Sequence, residues 1–440
     1  LDGGAYFTLS SVVLSRGCIH APGPYFCENT RVNAKAVATN TFPFGAFRGF
    51  GAPQSIFATE RFMEYVAKQL KIDPIEFRLK NMIKPGQTTA TGQLIEEKVD
   101  YQQLIDRVLN ESNYHQKIKQ YEVENTNSPI KRGFGIATFM HGAGFTGSGE
   151  AYLASVVGVQ GTPEGKIELL ASSVEMGQGK NTIFSAIAAE ALGVHEDLII
   201  IATPDTKFVP DSGPTVASRT SMVVGKLIES ACISLIKKLQ DEKLLHQKYS
   251  ENDLKSAIQE YCHKKGRLKV FSKYKQPPNI AWDDEKYQGS AYATYAWAVY
   301  LAEVEVNTLT YDTKVINFYA NQEIGKTLHP TLAAGQIEGG VAQAIGYAIY
   351  EKVRYQEGQM INNQMTNYIM PTALDVPNIH VFFEEWNIDY GPGGAKGIGE
   401  LPMDGPAPAI LNAVENATNC SINHIPMLPE DLFQSMENLK

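Results

Sequence analysis

The chain has 440 residues, enough for two or three domains, and its 43% hydrophobic and 20% charged residues are typical of a folded protein, which excludes disorder and fibrous repeats. Lys and Arg number 39 against 48 Asp and Glu, so the net charge is −9, which argues against nucleic acid as a partner. No apolar run approaches the roughly 18 residues of a membrane-spanning helix, which argues against a membrane protein.

Apolar residues at helical spacing predict helices along most of the chain. The pair Asp73-Pro74 has the N-cap and first-turn residues that often open a helix. The predicted helices cover residues 55–70, 74–82, 101–109, 182–192, 221–239, 253–263, 332–349 and 407–417. Between residues 83 and 131 the sequence is mostly polar, rich in Thr, Gln, Asn and Glu, which predicts a domain boundary there.

Runs of residues with high strand propensity predict two groups of strands. The first group covers 151–159 and 166–172, joined by a turn at 161–165 that contains Gly and Pro. The second group is a long hairpin over 292–320 that turns at 307–313. Because helices and strands do not alternate strictly, we expect an α+β fold of mixed sheets and helices.

Cysteine usage and the first residues bear on the cellular compartment. The five cysteines are far apart and form no CxxC pair, which excludes a disulfide framework and argues against a zinc cage or an iron–sulfur cluster made wholly by this chain. The chain opens at Leu1 without the basic and apolar pattern of a signal peptide. We therefore expect no signal peptide, a cytoplasmic location, and a chain that is either part of a longer polypeptide or a processed product.

Four glycine-bearing loops join small residues to polar or aromatic ones, at 46–51, 175–179, 335–340 and 397–400. None of them is a Walker or Rossmann motif, so ATP or nicotinamide binding by the usual folds is not indicated. The 175–179 loop lies between a predicted strand and a predicted helix, where its backbone N–H groups could face an anion. The alternative is a tight turn that merely needs its glycines.

Several further residues could carry chemistry, and each also has an ordinary structural explanation. Glu400, in a Gly-rich loop, could act as a base or could simply accept backbone hydrogen bonds. Arg48 could bind an anion or stack on a ring, or could form a structural salt bridge. The hydroxyl residues of 214–221 could bind a ligand or cap the next helix. His141 and His329 are more typical of hydrogen-bonded structural histidines, because no second ligand lies at metal spacing.

Six motifs follow one another along the chain: AFRGFGAPQ (46–54), HGAGFT (141–146), EMGQGKNT (175–182), PDSGPTVASRTS (210–221), GQIEGGVAQAIG (335–346) and AKGIGELP (395–402). Together, and in this order, they resemble the molybdenum hydroxylases, the family of xanthine dehydrogenase and aldehyde oxidase. The resemblance covers nearly the whole chain and is to the C-terminal part of the molybdopterin-binding subunit. It implies that residues 1–95 end a first molybdopterin-binding domain and that 96–440 form a second, which could divide into two subdomains.

The resemblance implies a molybdopterin cofactor, in its plain or its cytosine dinucleotide form, whose dithiolene sulfurs hold the molybdenum, so that no protein side chain needs to bind the metal. Small and polar residues and one phenylalanine would contact this cofactor: Phe47, Gly177, Gln178, Gly179, Thr215, Ala217, Ser218, Thr220 and Gln336. Phe47 and Arg48 would lie at the molybdenum pocket.

The resemblance also implies catalytic and substrate-binding roles. Glu400 would be the base that takes the proton of a molybdenum-bound hydroxide as its water-derived oxygen attacks the substrate, while hydride passes to the sulfido ligand. Arg48 would be a second catalytic residue. Phe50 and Phe145 match two phenylalanines that sandwich a planar substrate in xanthine-oxidising members, and Thr146 belongs to the same substrate-binding motif.

Departures from the family pattern concern both the pocket and the partners. Val216, Arg219 and His329 differ from the residues usual in xanthine oxidases, which could alter cofactor recognition or the pocket. The family's earlier Gly-rich loop and its upstream substrate-orienting Glu and Arg are not in this chain. We therefore expect the remaining half of the molybdenum subunit to complete the pocket, and iron–sulfur and FAD groups to lie on partner chains or on other domains.

Three functions stay open from the sequence. The leading hypothesis is hydroxylation of an N-heterocycle of the purine type, because of Phe50 and Phe145. Oxidation of an aldehyde to a carboxylate by the same site is the alternative within the class. The alternative from another class is a non-catalytic cofactor-binding or assembly module, which the loss of Glu400 or of the 177–179 Gly-Gln-Gly segment would favour, whereas both are present.

Overall fold

The computed structural model describes residues 1–278, 280–386 and 388–438. Within these residues the helices are α1 (Ser10–His20), α2 (Ala52–Leu70), α3 (Pro74–Asn81), α4 (Tyr101–Glu111), α5 (Tyr114–Asn127), α6 (Gly149–Leu153), α7 (Lys180–Leu192), α8 (Gly225–Asp241), α9 (Glu251–Lys265), α10 (Pro330–Ile349), α11 (Pro406–Thr418) and α12 (Pro429–Glu437). The strands are β1 (Ile130–Gly142), β2 (Val156–Gly161), β3 (Ile167–Leu170), β4 (Ile199–Ile201), β5 (Leu268–Lys273), β6 (Trp282–Asp283), β7 (Gln288–Gly289), β8 (Tyr295–Asn307), β9 (Thr313–Glu323), β10 (Tyr355–Gln356), β11 (Gln359–Met360) and β12 (Asn378–Glu384).

The larger core surrounds a four-stranded sheet with the order β1-β8-β9-β12, antiparallel except for the parallel pair β9 and β12. Successive side chains of a strand point to opposite faces. On β8, Ala298 and Tyr300 pack with α2, α10 and α11, whereas Trp297 and Val299 pack with α4. Because helices cover both faces, β8 is apolar along nearly its whole length.

Glycines of β1 allow α11 to pack directly on the sheet. A Cβ added to Gly135 would lie 2.1 Å from the backbone nitrogen of Ala413 and 2.2 Å from the backbone oxygen of Ala409. Real Cβ atoms do not approach backbone atoms so closely, so a side chain at Gly135 would push the helix away. This close approach fixes the position of α11 and of the 397–404 segment that precedes it.

The second core surrounds a sheet with the order β4-β3-β2-β5, in which only β3 and β4 are parallel. Val157 and Leu169 of this sheet pack with apolar side chains of α7, α8 and α9. Two two-stranded hairpins, β6 with β7 and β10 with β11, complete the sheets of the described residues. The fold is therefore α+β with mixed sheets, as the sequence predicts.

The eight predicted helices are confirmed as α2, α3, α4, α7, α8, α9, α10 and α11, and the predicted hairpin is β8 with β9. The predicted strand 166–172 contains β3. The strand predicted over 151–159 is wrong in its first half, because residues 149–153 form α6 and β2 begins only at Val156. The apolar run there is typical of a strand, but Glu150 is buried in an ion pair with Arg219, a distant residue that local sequence does not reveal.

The polar region 83–131 contains two helices, α4 and α5, of which the sequence predicts only the first. One face of α4 is buried through Leu104, Ile105 and Val108 against the larger sheet. The division into domains at residues 95 and 96 stays a prediction. Among the described residues, none of the helices combines the length and the apolar character that crossing a bilayer requires.

Candidate cofactor and active site

A cavity of about 340 Å³ lies where the two cores meet. Five of the motif segments contribute to its wall: the segment 46–54, the loop before α7, the segment 215–221, the first half of α10 and the loop 397–400. Nine of the predicted site residues line it, namely Arg48, Phe50, Gln178, Thr215, Ala217, Ser218, Thr220, Gln336 and Glu400. The other lining residues are Met176, Lys180, Ile183, Phe184, Val216, Ser221, Gly397, Ile398 and Gly399.

The segment 215–218 approaches the 397–400 loop in a strained conformation. Ala217 and Ser218 have φ values of 56° and 53°, in the left-handed region that costs residues with a side chain about 1–3 kcal/mol each. A Cβ on Gly397 would lie only 1.8 Å from the Ser218 carbonyl oxygen, and the Ser218 hydroxyl accepts a hydrogen bond from the Glu400 N–H at 2.9 Å. Small residues thus bring the Ser218 backbone directly beside Glu400.

In the loop 175–179, backbone N–H groups bind the carboxylate of a residue of the same loop, Glu175. The Glu175 carboxylate accepts hydrogen bonds from the N–H groups of Gly177, Gly179 and Asn181, at 2.9, 3.1 and 3.0 Å. Slight burial acts to raise the pKa of Glu175, but these N–H groups outweigh it and keep that pKa below its usual value. Of the two alternatives for this loop, the structure favours the turn, because the N–H groups of Gly177, Gly179 and Asn181 already donate to the Glu175 carboxylate at the N-terminus of α7.

Gln178 completes this loop through its amide group. Its side-chain oxygen accepts a hydrogen bond from the Met176 N–H at 2.6 Å, and its side-chain nitrogen donates one to the Val174 carbonyl at 2.8 Å. The Thr215 hydroxyl in turn accepts a hydrogen bond from the Val174 N–H at 2.8 Å. The two cofactor segments predicted from the sequence are thus joined to each other.

Arg48 links α10 to the Glu400 loop. Its Nε donates to the Gly399 carbonyl at 2.6 Å and its Nη2 to the Gln336 carbonyl at 3.1 Å. Burial lowers the pKa of Arg48, although the nearby charges oppose this effect. Phe50 has a φ of 49°, flanked by two left-handed glycines, and this tight turn places its ring at the cavity wall.

Glu400 is 6% exposed and has two polar neighbours behind it. Its Oε2 lies 3.4 Å from Arg16 Nη1 and 3.3 Å from His141 Nε2. Burial alone would raise the pKa of Glu400, but Arg16, and then His141, hold it below its usual value. The carboxylate at the cavity wall is therefore held in its ionised form.

His141 connects this carboxylate to a second buried acid. Its Nδ1 lies 2.6 Å from Asp404 Oδ2 and its Nε2 lies 2.8 Å from Arg16 Nη1. Burial acts to lower the pKa of His141, yet Asp404 outweighs it and raises that pKa. With Nδ1–H donated to Asp404, Nε2 either accepts from Arg16 or, once protonated, donates to Glu400. The structural interpretation of His141 therefore holds, but the residue also contacts Glu400.

Arg16 and Asp404 were not among the residues predicted from the sequence. Arg16 is 2% exposed and also donates to the carbonyls of Gly142 and Gly144, both at 2.7 Å. Its position in α1 carries no motif, so the sequence contains no signal for it. Asp404 follows Glu400 by four residues. This short distance from the predicted base was the one signal in the sequence that could have pointed to Asp404.

Five predicted site residues do not line the cavity. Gly177 and Gly179 shape the loop beside it, and Phe47 is 39% exposed with its ring 6.0 Å from that of Tyr347. The Phe145 N–H donates to Glu150 Oε1 at 3.0 Å. The Thr146 hydroxyl forms a 2.8 Å hydrogen bond with the Tyr292 hydroxyl. His329 instead caps α10, where its Nδ1 accepts from the Leu332 N–H at 3.3 Å.

The cavity fits a cofactor that is held without side-chain ligands to its metal. In the parts of the chain that the structure describes, no group of three His, Cys, Asp or Glu side chains could hold a metal ion. The wall instead offers hydroxyls, amides and close backbone approach at Thr215, Ser218, Thr220 and Gln336. Such groups suit the ring and polar substituents of a pterin.

Two family models, both described as molybdopterin cofactor-binding domain, match residues 1–82 and 107–377. Aldehyde oxidoreductase of Megalodesulfovibrio gigas is 30% identical over 99% of the chain and 46% of its own length. The xanthine dehydrogenase molybdenum-binding subunit of Escherichia coli O157:H7 is 29% identical over 91% of the chain and 54% of its own length. The chain thus spans about half the length of these relatives.

Solved structures show the same similarity. Aldehyde oxidoreductase from Desulfovibrio desulfuricans ATCC 27774 has a TM-score of 0.87 at 30% identity, covering 99% of this chain and 46% of that one. Quinoline 2-oxidoreductase from Pseudomonas putida 86 has a TM-score of 0.85 at 27% identity, covering 99% of this chain and 59% of that one. With the two matching domains and the motif residues around one cavity, the chain belongs to the molybdenum hydroxylase family through its molybdopterin cofactor-binding domains.

Proposed function

We propose that the chain is the part of a molybdenum hydroxylase that carries the catalytic base, and that the assembled enzyme hydroxylates a planar N-heterocycle of the purine type. One observation supports this most: Glu400 is buried at the cavity wall, yet Arg16 and His141 keep it ionised. A buried carboxylate that lies at a cavity wall, with its pKa shifted by charged neighbours, is a candidate for a catalytic group.

Molybdopterin, when bound, supplies the two-electron redox centre of the reaction. Thr215, Ser218, Thr220 and Gln336 would hold it through their hydroxyl and amide groups, and Ala217 would contact it through its backbone. The Glu175 carboxylate would stabilise the loop that carries Gln178, through the backbone N–H groups that it binds. Arg48 would fix Gln336 relative to Gly399, since it already bonds both backbones.

Glu400 would take the proton of the water-derived oxygen that attacks the substrate carbon. Its ionised form is the one able to accept a proton, and its burial keeps competing water away. His141 and Arg16 would stabilise the negative charge of Glu400 before it takes the proton. Their attraction to Glu400 would weaken once the carboxyl group is neutral. The Asp404 carboxylate holds His141 in the orientation this requires.

The substrate class rests on the two phenylalanines. Phe50 lines the cavity, and an aromatic ring there would stack on a planar heterocycle. Phe145 lies on the loop whose Gly144 N–H donates to the Ala217 carbonyl at 2.7 Å, next to the cavity wall. Oxidation of an aldehyde by the same base is the second candidate, because relatives are named aldehyde oxidoreductase as well as xanthine dehydrogenase.

The test is a Glu400→Gln variant of the assembled complex, assayed with a purine-type heterocycle and an aldehyde. We expect turnover to fall by at least about 100-fold because the amide cannot accept the proton, with molybdenum content unchanged. Glu64→Gln is the matched control, since Glu64 is also buried but pairs with Arg78 and does not line the cavity. Normal turnover in Glu400→Gln would refute the assignment of Glu400 as the base. A preference of the natural complex for the aldehyde over the heterocycle would favour aldehyde oxidation, the second candidate.

A further inference from the structure

A buried ion pair outside the cavity joins Glu150 of α6 to Arg219. The Arg219 Nε lies 2.9 Å from Glu150 Oε1 and its Nη2 lies 2.8 Å from Glu150 Oε2, the two-pronged geometry of a strong guanidinium–carboxylate pair. Arg219 is fully buried and Glu150 is 5% exposed. Burying both charges costs desolvation free energy. The other hydrogen bonds of the two side chains therefore indicate which segments the pair holds in position.

The rest of the guanidinium is bonded to the start of the cofactor segment. Nη1 donates to the Ser212 carbonyl at 2.8 Å and to the Pro214 carbonyl at 3.3 Å, and Nη2 donates to the Ser155 hydroxyl at 2.8 Å. A Cβ on Gly213 would lie 2.9 Å from Nη1. Arg219 therefore binds the backbone carbonyls on both sides of Gly213. These carbonyls directly precede the cofactor segment that begins at Thr215.

The carboxylate end of the pair is bonded to the predicted substrate loop. Glu150 Oε1 accepts the Phe145 N–H at 3.0 Å, in addition to its contact with Arg219. The preceding Gly144 donates its N–H to the Ala217 carbonyl. The pair and this backbone hydrogen bond thus close a ring of contacts between the loop of Phe145 and the strained residues of the cofactor segment.

We propose that Glu150 and Arg219 are positioning residues that set the distance between the bound cofactor and the ring of Phe145. This inference rests on the proposed function, which supplies the roles of the two loops. Lysine could not replace Arg219, because a single ammonium cannot reach Glu150, Ser155 and the two carbonyls together. The pair lies behind both loops and lines no part of the cavity itself, so it acts through its neighbours.

The test uses the assembled complex with Arg219→Lys and with Glu150→Gln, which keeps the hydrogen-bond acceptor for Phe145 but removes the charge. The pterin content per folded chain, measured by fluorescence after oxidative release, is expected to fall severalfold in Arg219→Lys. In both variants KM for the planar heterocycle is expected to rise about tenfold, with kcat per molybdenum nearly unchanged because Glu400 is intact.

Arg78→Lys is the control, because Arg78 is also fully buried and pairs with Glu60 and Glu64 far from the cavity. If Arg219→Lys and Arg78→Lys lower thermal stability alike, and folded Arg219→Lys keeps the pterin content and KM of the natural enzyme, the pair is merely structural and the proposal is wrong. If Arg219→Lys does not fold, the KM of Glu150→Gln decides. If the natural complex turns over no substrate, the proposed function fails. The pterin content of Arg219→Lys then still tests whether the pair positions the cofactor segment.

Discussion

A buried carboxylate loses its hydration, and at Glu400 this loss is offset by particular neighbours. Burial raises its pKa, while Arg16 and His141 lower it, and the lowering effects win. Because the folded-state pKa lies below the ordinary value of 4.5, the ionised form persists at any pH above that value. The stability and the proposed activity that depend on this charge are present above pH 4.5 and are lost as the pH falls through the folded-state pKa.

Arg16→Gln should therefore move the acid side of the pH profile. Without the guanidinium, the pKa of Glu400 rises, so kcat/KM should begin to fall at a higher pH than in the natural complex. The measurement is kcat/KM against pH in the assembled enzyme. Arg61→Gln is the control, because Arg61 is buried but pairs with Glu415 instead. An acid limb at the same pH in Arg16→Gln and in the natural complex would contradict this role for Arg16.

Residues in motifs were the predictable part of the site. Thr215, Ser218 and Glu400 were predicted through the resemblance of their motifs to a known family, since each of them alone also has an ordinary structural explanation, and all three line the cavity. Arg16 and Asp404 could not, since their contacts join α1, β1 and the 397–404 loop, which are far apart along the chain. His141 was visible in a motif, but only the fold brings it against Glu400.

Several helices were predictable because one face is buried and the other exposed. The helices α2, α4 and α8 have that pattern and were predicted. The strand β1 was missed because Gly133, Gly135 and Gly142 lower its strand propensity and its residues are buried without alternation from Gly133 onward. The Glu175 cap of α7 was missed for another reason: a carboxylate two residues before Gly177 gives no periodic signal, although its local hydrogen bonds decide how the loop folds.

Gly135→Ala tests how α11 is held on β1. The added methyl group would overlap the α11 backbone, so we expect a destabilisation of about 2–3 kcal/mol and a lower midpoint of thermal unfolding. Gly339→Ala is the control, because a Cβ at this exposed position of α10 meets no atom within 4 Å and should be neutral or slightly stabilising. Equal melting temperatures for the two variants would show that α11 tolerates displacement.

At the scale of the whole molecule, the cavity wall is only partly covered. Phe47, Val174, Met176 and Val216 are apolar, lie on the loops around the cavity and are 37–69% exposed. Exposed apolar side chains grouped at one site are typical of a surface that another part of a protein covers. The chain spans about half the length of its relatives, which supports the proposal that the rest of the molybdenum subunit closes the cavity.

This proposal predicts a difference between the isolated chain and the complex purified from its native source. The complex should contain close to one molybdenum per copy of the chain, together with iron–sulfur and flavin proteins, and should hydroxylate its substrate. The isolated chain should show no turnover, because an open cavity does not hold the substrate in a fixed orientation relative to Glu400. Mass spectrometry of the metal and of the co-purifying chains, alongside the same assay on both samples, makes the comparison. Turnover by the isolated chain would show that its own residues complete the site, and an intact complex without molybdenum would favour a non-catalytic module.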